Sequence, residues 1–302
     1  MELGMVGLGR MGRNMAARLV RGGHEVSGYD PAAEARKAAA EQGIRPQASL
    51  AALVQALPAP RTLWLMLPAG QVTQDTLHAL LPLLGRGDAV VDGGNSNFHD
   101  TQRRAALCAE QGIAFVDCGT SGGVWGLQEG YSLMIGGEEA AVERLRPLFE
   151  SLAPAPDRGW GRVGPAGSGH YTKMVHNGIE YGMMQAYAEG LAILHKKAEF
   201  GLDLHQIGKI WEHGSVVRSW LLELLTDALG KNPQMQGVAP FVPDSGEGRW
   251  TVDEAIRLDV AAPVITLSLL ERLRSRDADS YTDKLLSVMR GQFGGHAVKT
   301  EG

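Results

Sequence analysis

The chain has 302 residues, 44% hydrophobic and 21% charged, which fits a soluble globular protein of about two domains and excludes a disordered or membrane-embedded one. A formal charge of −5 excludes a broad basic surface and a nucleic-acid partner, so an anionic substrate must be met by local positive groups. Two cysteines, Cys108 and Cys118, exclude a disulfide framework, and no apolar run reaches transmembrane length; a cytoplasmic protein without a membrane partner is expected.

A short apolar strand covers Leu3 to Val6 and leaves no room for a signal sequence. Gly7, Gly9 and Gly12 follow in GLGRMG, then a helical pattern from Met11 to about Arg21 and a second strand from Glu25 to Tyr29. Asp30 stands 18 residues beyond Gly12. Strand, glycine turn, helix and acid in this order form a dinucleotide-binding fingerprint. The glycines let backbone approach a pyrophosphate at a helix N-terminus, and the carboxylate accepts hydrogen bonds from ribose hydroxyls. Gly7, Leu8, Gly9, Arg10, Met11, Gly12 and Asp30 are assigned to the cofactor. The charge of Asp30 would repel a 2′-phosphate, so NAD is preferred, while Arg10 and Arg36 keep NADP open.

Helices over Pro31 to Gln42 and Ser49 to Leu57 precede a strand from Leu63 to Leu67, a helix from Thr73 to Leu84 and a strand from Ala89 to Asp92 closing on GGNSN. The alternation predicts a parallel, doubly wound sheet of Rossmann type, with ligands beyond the carboxyl ends of the strands. Leu67, Pro68 and Asn95 fall at such ends. A helix from Thr101 to Gln111 leads to a strand from Ala114 to Asp117, which runs into a glycine-rich loop. There Ser121 and the amides of Gly122 and Gly123 could hold a carboxylate, the competing reading being a flexible loop. A strand from Tyr131 to Gly136 and a helix from Val142 to Leu152 follow. Pro154, Pro156 and the glycines from Gly159 to Gly169 mark a boundary. Residues 1–163 therefore read as a dinucleotide-binding α/β domain, and residues 164–302 as an all-α domain for substrate and oligomerisation. Its helices cover Tyr171 to Phe200, Leu204 to Glu212, Trp220 to Leu229, Thr251 to Leu258, Val264 to Arg274 and Tyr281 to Arg290, with a loop from Gly230 to Trp250.

The densest chemistry lies in GSGHYTKMVHNGIEYG, from Gly167 to Gly182. On a helix, Lys173, His176, Asn177, Glu180 and Tyr181 stand at i, i+3, i+4, i+7 and i+8 and share one face. A solvated stripe would use better helix formers than His, Asn and Tyr. Met174, Val175, Ile179 and Met183 are expected to pack inward. Gly178 and Gly182 weaken the helix unless another backbone or a ligand comes close. Nine histidines offer no HExxH and no carboxylate–histidine cluster at ligand spacing, so no metal is expected.

The spacing KxxHNxxEY after GxGH resembles the catalytic helix of the decarboxylating 6-phosphogluconate dehydrogenases, and the likeness extends to His296. The resemblance implies oxidative decarboxylation of 6-phospho-D-gluconate to D-ribulose 5-phosphate in the pentose phosphate pathway. Lys173 would be the base for the hydroxyl proton and Glu180 the acid for the enediol, with His176 and Asn177 orienting the substrate. It also places Asn95, Ser121, Gly122 and Gly123 at substrate-binding positions, and Tyr181, Arg272, Arg290 and His296 at the phosphate end. The last two would reach a neighbouring subunit's site in a homodimer or homotetramer. Ser245 in DSGEGRW stands where the family carries a lysine, and Arg249 nearby is the substitute. NADP-using members carry an Asn-Arg-Thr type sequence where this chain has Tyr29, Asp30 and Pro31. The chain is similar to the short, NAD-preferring branch. Two other readings stay open: a non-decarboxylating β-hydroxyacid dehydrogenase, and an inactive NAD-binding sensor.

Overall fold

In a computed structural model of the protein, the described residues are 1–294 and 297–299. They form two compact units, Met1–Asn177 and Gly178–Gly302.

The first unit is built on eight strands: β1 Glu2–Val6, β2 Glu25–Tyr29, β3 Arg45–Pro46, β4 Thr62–Leu65, β5 Ala89–Asp92, β6 Ala114–Ser121, β7 Ser132–Gly137 and β8 Trp160–Gly164. Their order across the sheet is β3-β2-β1-β4-β5-β6-β7-β8. Helices α1 Arg10–Arg21, α2 Ala33–Ala40, α3 Leu50–Gln55, α4 Gln71–Leu80, α5 Phe98–Glu110, α6 Gly126–Glu129 and α7 Glu139–Leu152 connect them. Successive strand residues enter opposite apolar clusters. Leu3, Met5, Trp64, Val91 and Val116 belong to one; Val6, Leu63, Leu65, Val90 and Phe115 belong to the other. That period-two division is what a sheet covered on both faces requires. Cys108 and Cys118 are buried in it as free thiols, and burial pushes both up to about 12.

The sheet is parallel from β3 to β6, as the alternation predicts, and departs from this at one pair. β7 pairs antiparallel with β6, Cys118 facing Ile135 and Thr120 facing Leu133. β6 therefore continues through Gly119 to Ser121, where the sequence predicted a loop. β3 and β8 were not predicted. One has two residues and ends in Pro46; the other, WGRVG, lies inside the glycine-rich stretch read as a boundary. Both lie at sheet edges, where an apolar signature is weak.

Helix α8, Ser168–Lys196, passes from the first unit into the second. The second unit continues with α9 Leu204–Trp211, α10 Trp220–Lys231, α11 Glu247–Arg257, α12 Pro263–Arg274 and α13 Tyr281–Gly294. Close approaches account for the small residues on its helices. A Cβ on Gly178 would lie 2.6 Å from a Thr251 methyl, and one on Gly248 would lie 2.4 Å from the Tyr181 ring. Met174 is buried as expected, but Ile179 is 53% exposed and Met183 37% exposed. Those two do not pack inward: they project from α8 on another side than Met174. Among the described residues, no helix is long and apolar enough to cross a membrane.

Candidate active site

The fingerprint glycines have three different tasks. Gly7 has φ +92°, and a Cβ there would lie 2.4 Å from the Met66 carbonyl oxygen. A Cβ on Gly12 would lie 2.0 Å from the Gly7 carbonyl oxygen, whereas one on Gly9 would meet nothing within 4 Å. Gly7 thus makes the turn, Gly12 seats α1 against it, and Gly9 leaves a clear approach to the backbone. Helix α1 starts at Arg10 with no side-chain cap and no acid in its first turn, so its leading N–H groups and dipole suit an anion. Asp30 closes the far side. The Leu8 N–H donates to its Oδ2 at 2.8 Å and the Ala32 N–H to its Oδ1 at 2.8 Å, which fixes the carboxylate and leaves lone pairs for ribose hydroxyls. Arg36 donates to the Asp30 and Pro31 carbonyls, at 2.6 and 3.1 Å. Arg10 is exposed and Met11 half-buried. These residues fit a dinucleotide.

Leu67, Pro68 and Asn95 lie beyond β4 and β5, and a residue that sequence reasoning missed holds both turns. Arg104 on α5 is 1% exposed. Its Nη2 donates to the Gly70 carbonyl at 2.9 Å, its Nε to Gln74 Oε1 at 3.2 Å, and its Nη1 to Asp92 Oδ2 at 3.3 Å and Ser96 Oγ at 3.1 Å. Ser96 donates to Asp92 at 2.8 Å. The Pro68 turn and the Gly93–Ser96 turn therefore share one buried guanidinium, with Asn95 exposed at the tip.

The start of α8 is fixed in the same way by Asp117, which is fully buried on β6. Its Oδ1 accepts the Gly167 N–H at 2.7 Å and its Oδ2 the His170 N–H at 2.8 Å. A carboxylate from the sheet thus caps the helix N-terminus. Gly119 lets the two approach, since a Cβ there would lie 2.5 Å from the Lys173 Cβ. His170 is 2% exposed, with Nδ1 2.7 Å from Thr101 Oγ1. One turn on, Lys173 is 6% exposed and its Nζ donates to Asn177 Oδ1 at 2.7 Å. His176 Nδ1 lies 3.3 Å from that Nζ and 3.1 Å from Asn177 Oδ1. Lys173, His176 and Asn177 are brought together as the spacing predicts. Ser121 ends β6 half-buried; Gly122 and Gly123 follow with φ +130° and +51°, values open to glycine.

In the second unit Glu180 is half-buried and Tyr181 7% exposed. The Arg272 guanidinium stands 3.5 Å from the centre of the Tyr181 ring and donates to the Pro243 carbonyl at 2.9 Å. Burial raises the Tyr181 phenol above its usual value, and Arg272 opposes this. Ser245 Oγ donates to Glu247 Oε2 at 2.5 Å. Arg249 forms a two-point contact with Asp244, at 3.1 and 3.2 Å, so the proposed lysine substitute is already held by a carboxylate. Arg290 is exposed on α13, and His296 lies outside the described residues.

A glycine-turn nucleotide half followed by a helix carrying lysine, asparagine and glutamate defines the class: an NAD(P)-dependent dehydrogenase of hydroxy acids. Residues 2–161 match the NAD binding domain of 6-phosphogluconate dehydrogenase, and residues 169–296 match the 6-phosphogluconate dehydrogenase C-terminal domain. The chain belongs to the 6-phosphogluconate dehydrogenase family. It is 46% identical over 299 residues to the NAD(+)-dependent, decarboxylating 6-phosphogluconate dehydrogenase of Haloferax volcanii, covering 99% of this chain and 98% of that one. It is 37% identical to the NADP(+)-dependent, decarboxylating enzyme of Bacillus subtilis over 91% of its own length and 61% of that relative. The solved 6-phosphogluconate dehydrogenase of Plasmodium falciparum superposes with a TM-score of 0.84 at 26% identity, covering 100% of this chain and 66% of that one. The chain is thus similar in length to the first relative and spans about two thirds of the other two.

Proposed function

We propose that the protein oxidatively decarboxylates 6-phospho-D-gluconate to D-ribulose 5-phosphate and carbon dioxide, with NAD as the oxidant. The observation that carries this reading is the buried Lys173 amine held against Asn177 and His176 on a helix capped from the sheet. The Gly7–Gly12 turn and Asp30 would hold NAD, which would supply the hydride acceptor for oxidation at C3 of the substrate. Lys173, neutral at that moment, takes the C3 hydroxyl proton. In the resulting β-keto acid Lys173 returns the proton to the carbonyl oxygen, which draws electrons from the breaking bond to carbon dioxide. Glu180, two helical turns further along α8, protonates C1 of the enediol. Asn177 and His176 orient the hydroxyls, and Ser121 with the amides of Gly122 and Gly123 receives the carboxylate. Asn95 stands beside the cofactor turn formed by Leu67 and Pro68.

The fixed carboxylate of Asp30 supports NAD over NADP. Residues 1–163 carry the dinucleotide and residues 164–302 the substrate and subunit contacts, in a cytoplasmic homodimer or homotetramer in which Arg290 and His296 serve the neighbouring site. The deciding experiment mixes purified protein with 6-phosphogluconate and NAD or NADP, reads absorbance and traps carbon dioxide. Equal amounts of NADH and carbon dioxide are expected. Reduction of NAD by a short 3-hydroxy acid without gas release would replace the reading with a non-decarboxylating dehydrogenase.

A further inference from the structure

The resemblance puts the substrate's phosphate at the loop before α11, where Ser245 stands in place of the family's lysine, exposed and with its hydroxyl taken up by Glu247. The loop before α11 is nevertheless surrounded by guanidinium groups. Arg272 donates to the Pro243 carbonyl, and Arg276, in the turn just past the end of α12, donates through Nε to the Val242 carbonyl at 2.9 Å. The Nη2 of Arg276 meets Asp244 Oδ2 at 2.5 Å, on the same carboxylate that holds Arg249. The first turn of α11 packs on the Arg272-stacked ring, since a Cβ on Gly248 would lie 2.4 Å from Tyr181.

Asp244 and Glu247 stand against Arg249, Arg272 and Arg276 around this loop, a formal surplus of one positive charge, and Asp244 fixes two of the three arginines before any ligand arrives. We propose that Arg276 is a specificity-determining residue for the phosphorylated substrate: anchored by Asp244 beside Arg249, it supplies the positive charge that Ser245 does not. The inference rests on 6-phosphogluconate being the substrate. Asp244 acts through the two arginines and is a positioning residue.

The test compares wild type, Arg276→Gln and the double variant Arg276→Gln with Ser245→Lys. Arg276→Gln should raise KM for 6-phosphogluconate about tenfold, while kcat and KM for NAD change less than about twofold. Ser245→Lys should restore most of the lost affinity, which a merely structural role for Arg276 would not allow. A KM for 6-phosphogluconate unchanged in Arg276→Gln, a parallel rise in KM for NAD, or failure of the lysine to rescue would each overturn the inference. Calorimetric binding of 6-phosphogluconate separates this from the catalytic reading. A wild type that binds without oxidising it overturns the catalytic reading alone, and equal binding by wild type and Arg276→Gln overturns the role of Arg276.

Discussion

At the scale of single residues, the proposed chemistry divides between a base and an acid on one helix. Lys173→Met should lower kcat by about 10²–10⁴-fold with NAD affinity unchanged, read by steady-state rates and cofactor titration. Removing the acid with Glu180→Gln should leave NADH formation ahead of ketose formation; matched rates and normal product would deny Glu180 that role. Replacing Asp30 with Ser should narrow the NAD preference, and an unchanged ratio of kcat/KM for the two cofactors would place selectivity elsewhere. Lys173 and Asn177 were legible because helical spacing alone puts them on one face. Asp117 and Arg104 were not. An acid beside a glycine-rich run and an arginine on an amphipathic helix read as surface groups until the fold shows what encloses them.

At the scale of elements, α8 depends on the sheet for its first turn. Asp117→Asn removes the charge from a buried cap that receives two N–H groups, and should cost on the order of 1–3 kcal/mol in denaturant unfolding, with a fall in kcat as Lys173 loses its seat. The loop before α11 should respond to acid. Hydrogen bonds from Arg249 first, then Arg276, hold the Asp244 carboxyl at about 2, below its usual 3.8. A depressed folded value stabilises the native state above the unfolded value, and that stability is lost as pH falls through the folded one. The thermal midpoint should therefore drop between about pH 4 and pH 2, and Asp244→Asn should flatten that part of the profile. The βα alternation made most of the first unit readable because its buried strands are apolar runs. The added length of β6 was hidden because Gly119 serves the approach of α8 and resembles loop composition.

For the molecule as a whole, the proposed homodimer or homotetramer has an observable correlate in the second unit. Ile193, Ile210, Ile256 and Val264 are each more than 60% exposed there. Light scattering at micromolar concentration should give at least twice the mass of one chain, and a monomer would remove the role proposed for Arg290 and His296 in a neighbouring site. Sequence could announce two domains from the change of pattern near Gly159, but helix α8 belongs to both units, so no composition shift marks where one ends. The shared guanidinium of Arg104 bears on motion as well as position. Two turns separated by more than twenty residues of sequence hang on one buried charge, so neither can open without breaking the other's hydrogen bonds. Their amides should exchange with deuterium as a single cooperative unit, with a common opening free energy, and Arg104→Lys should lower protection in both turns together.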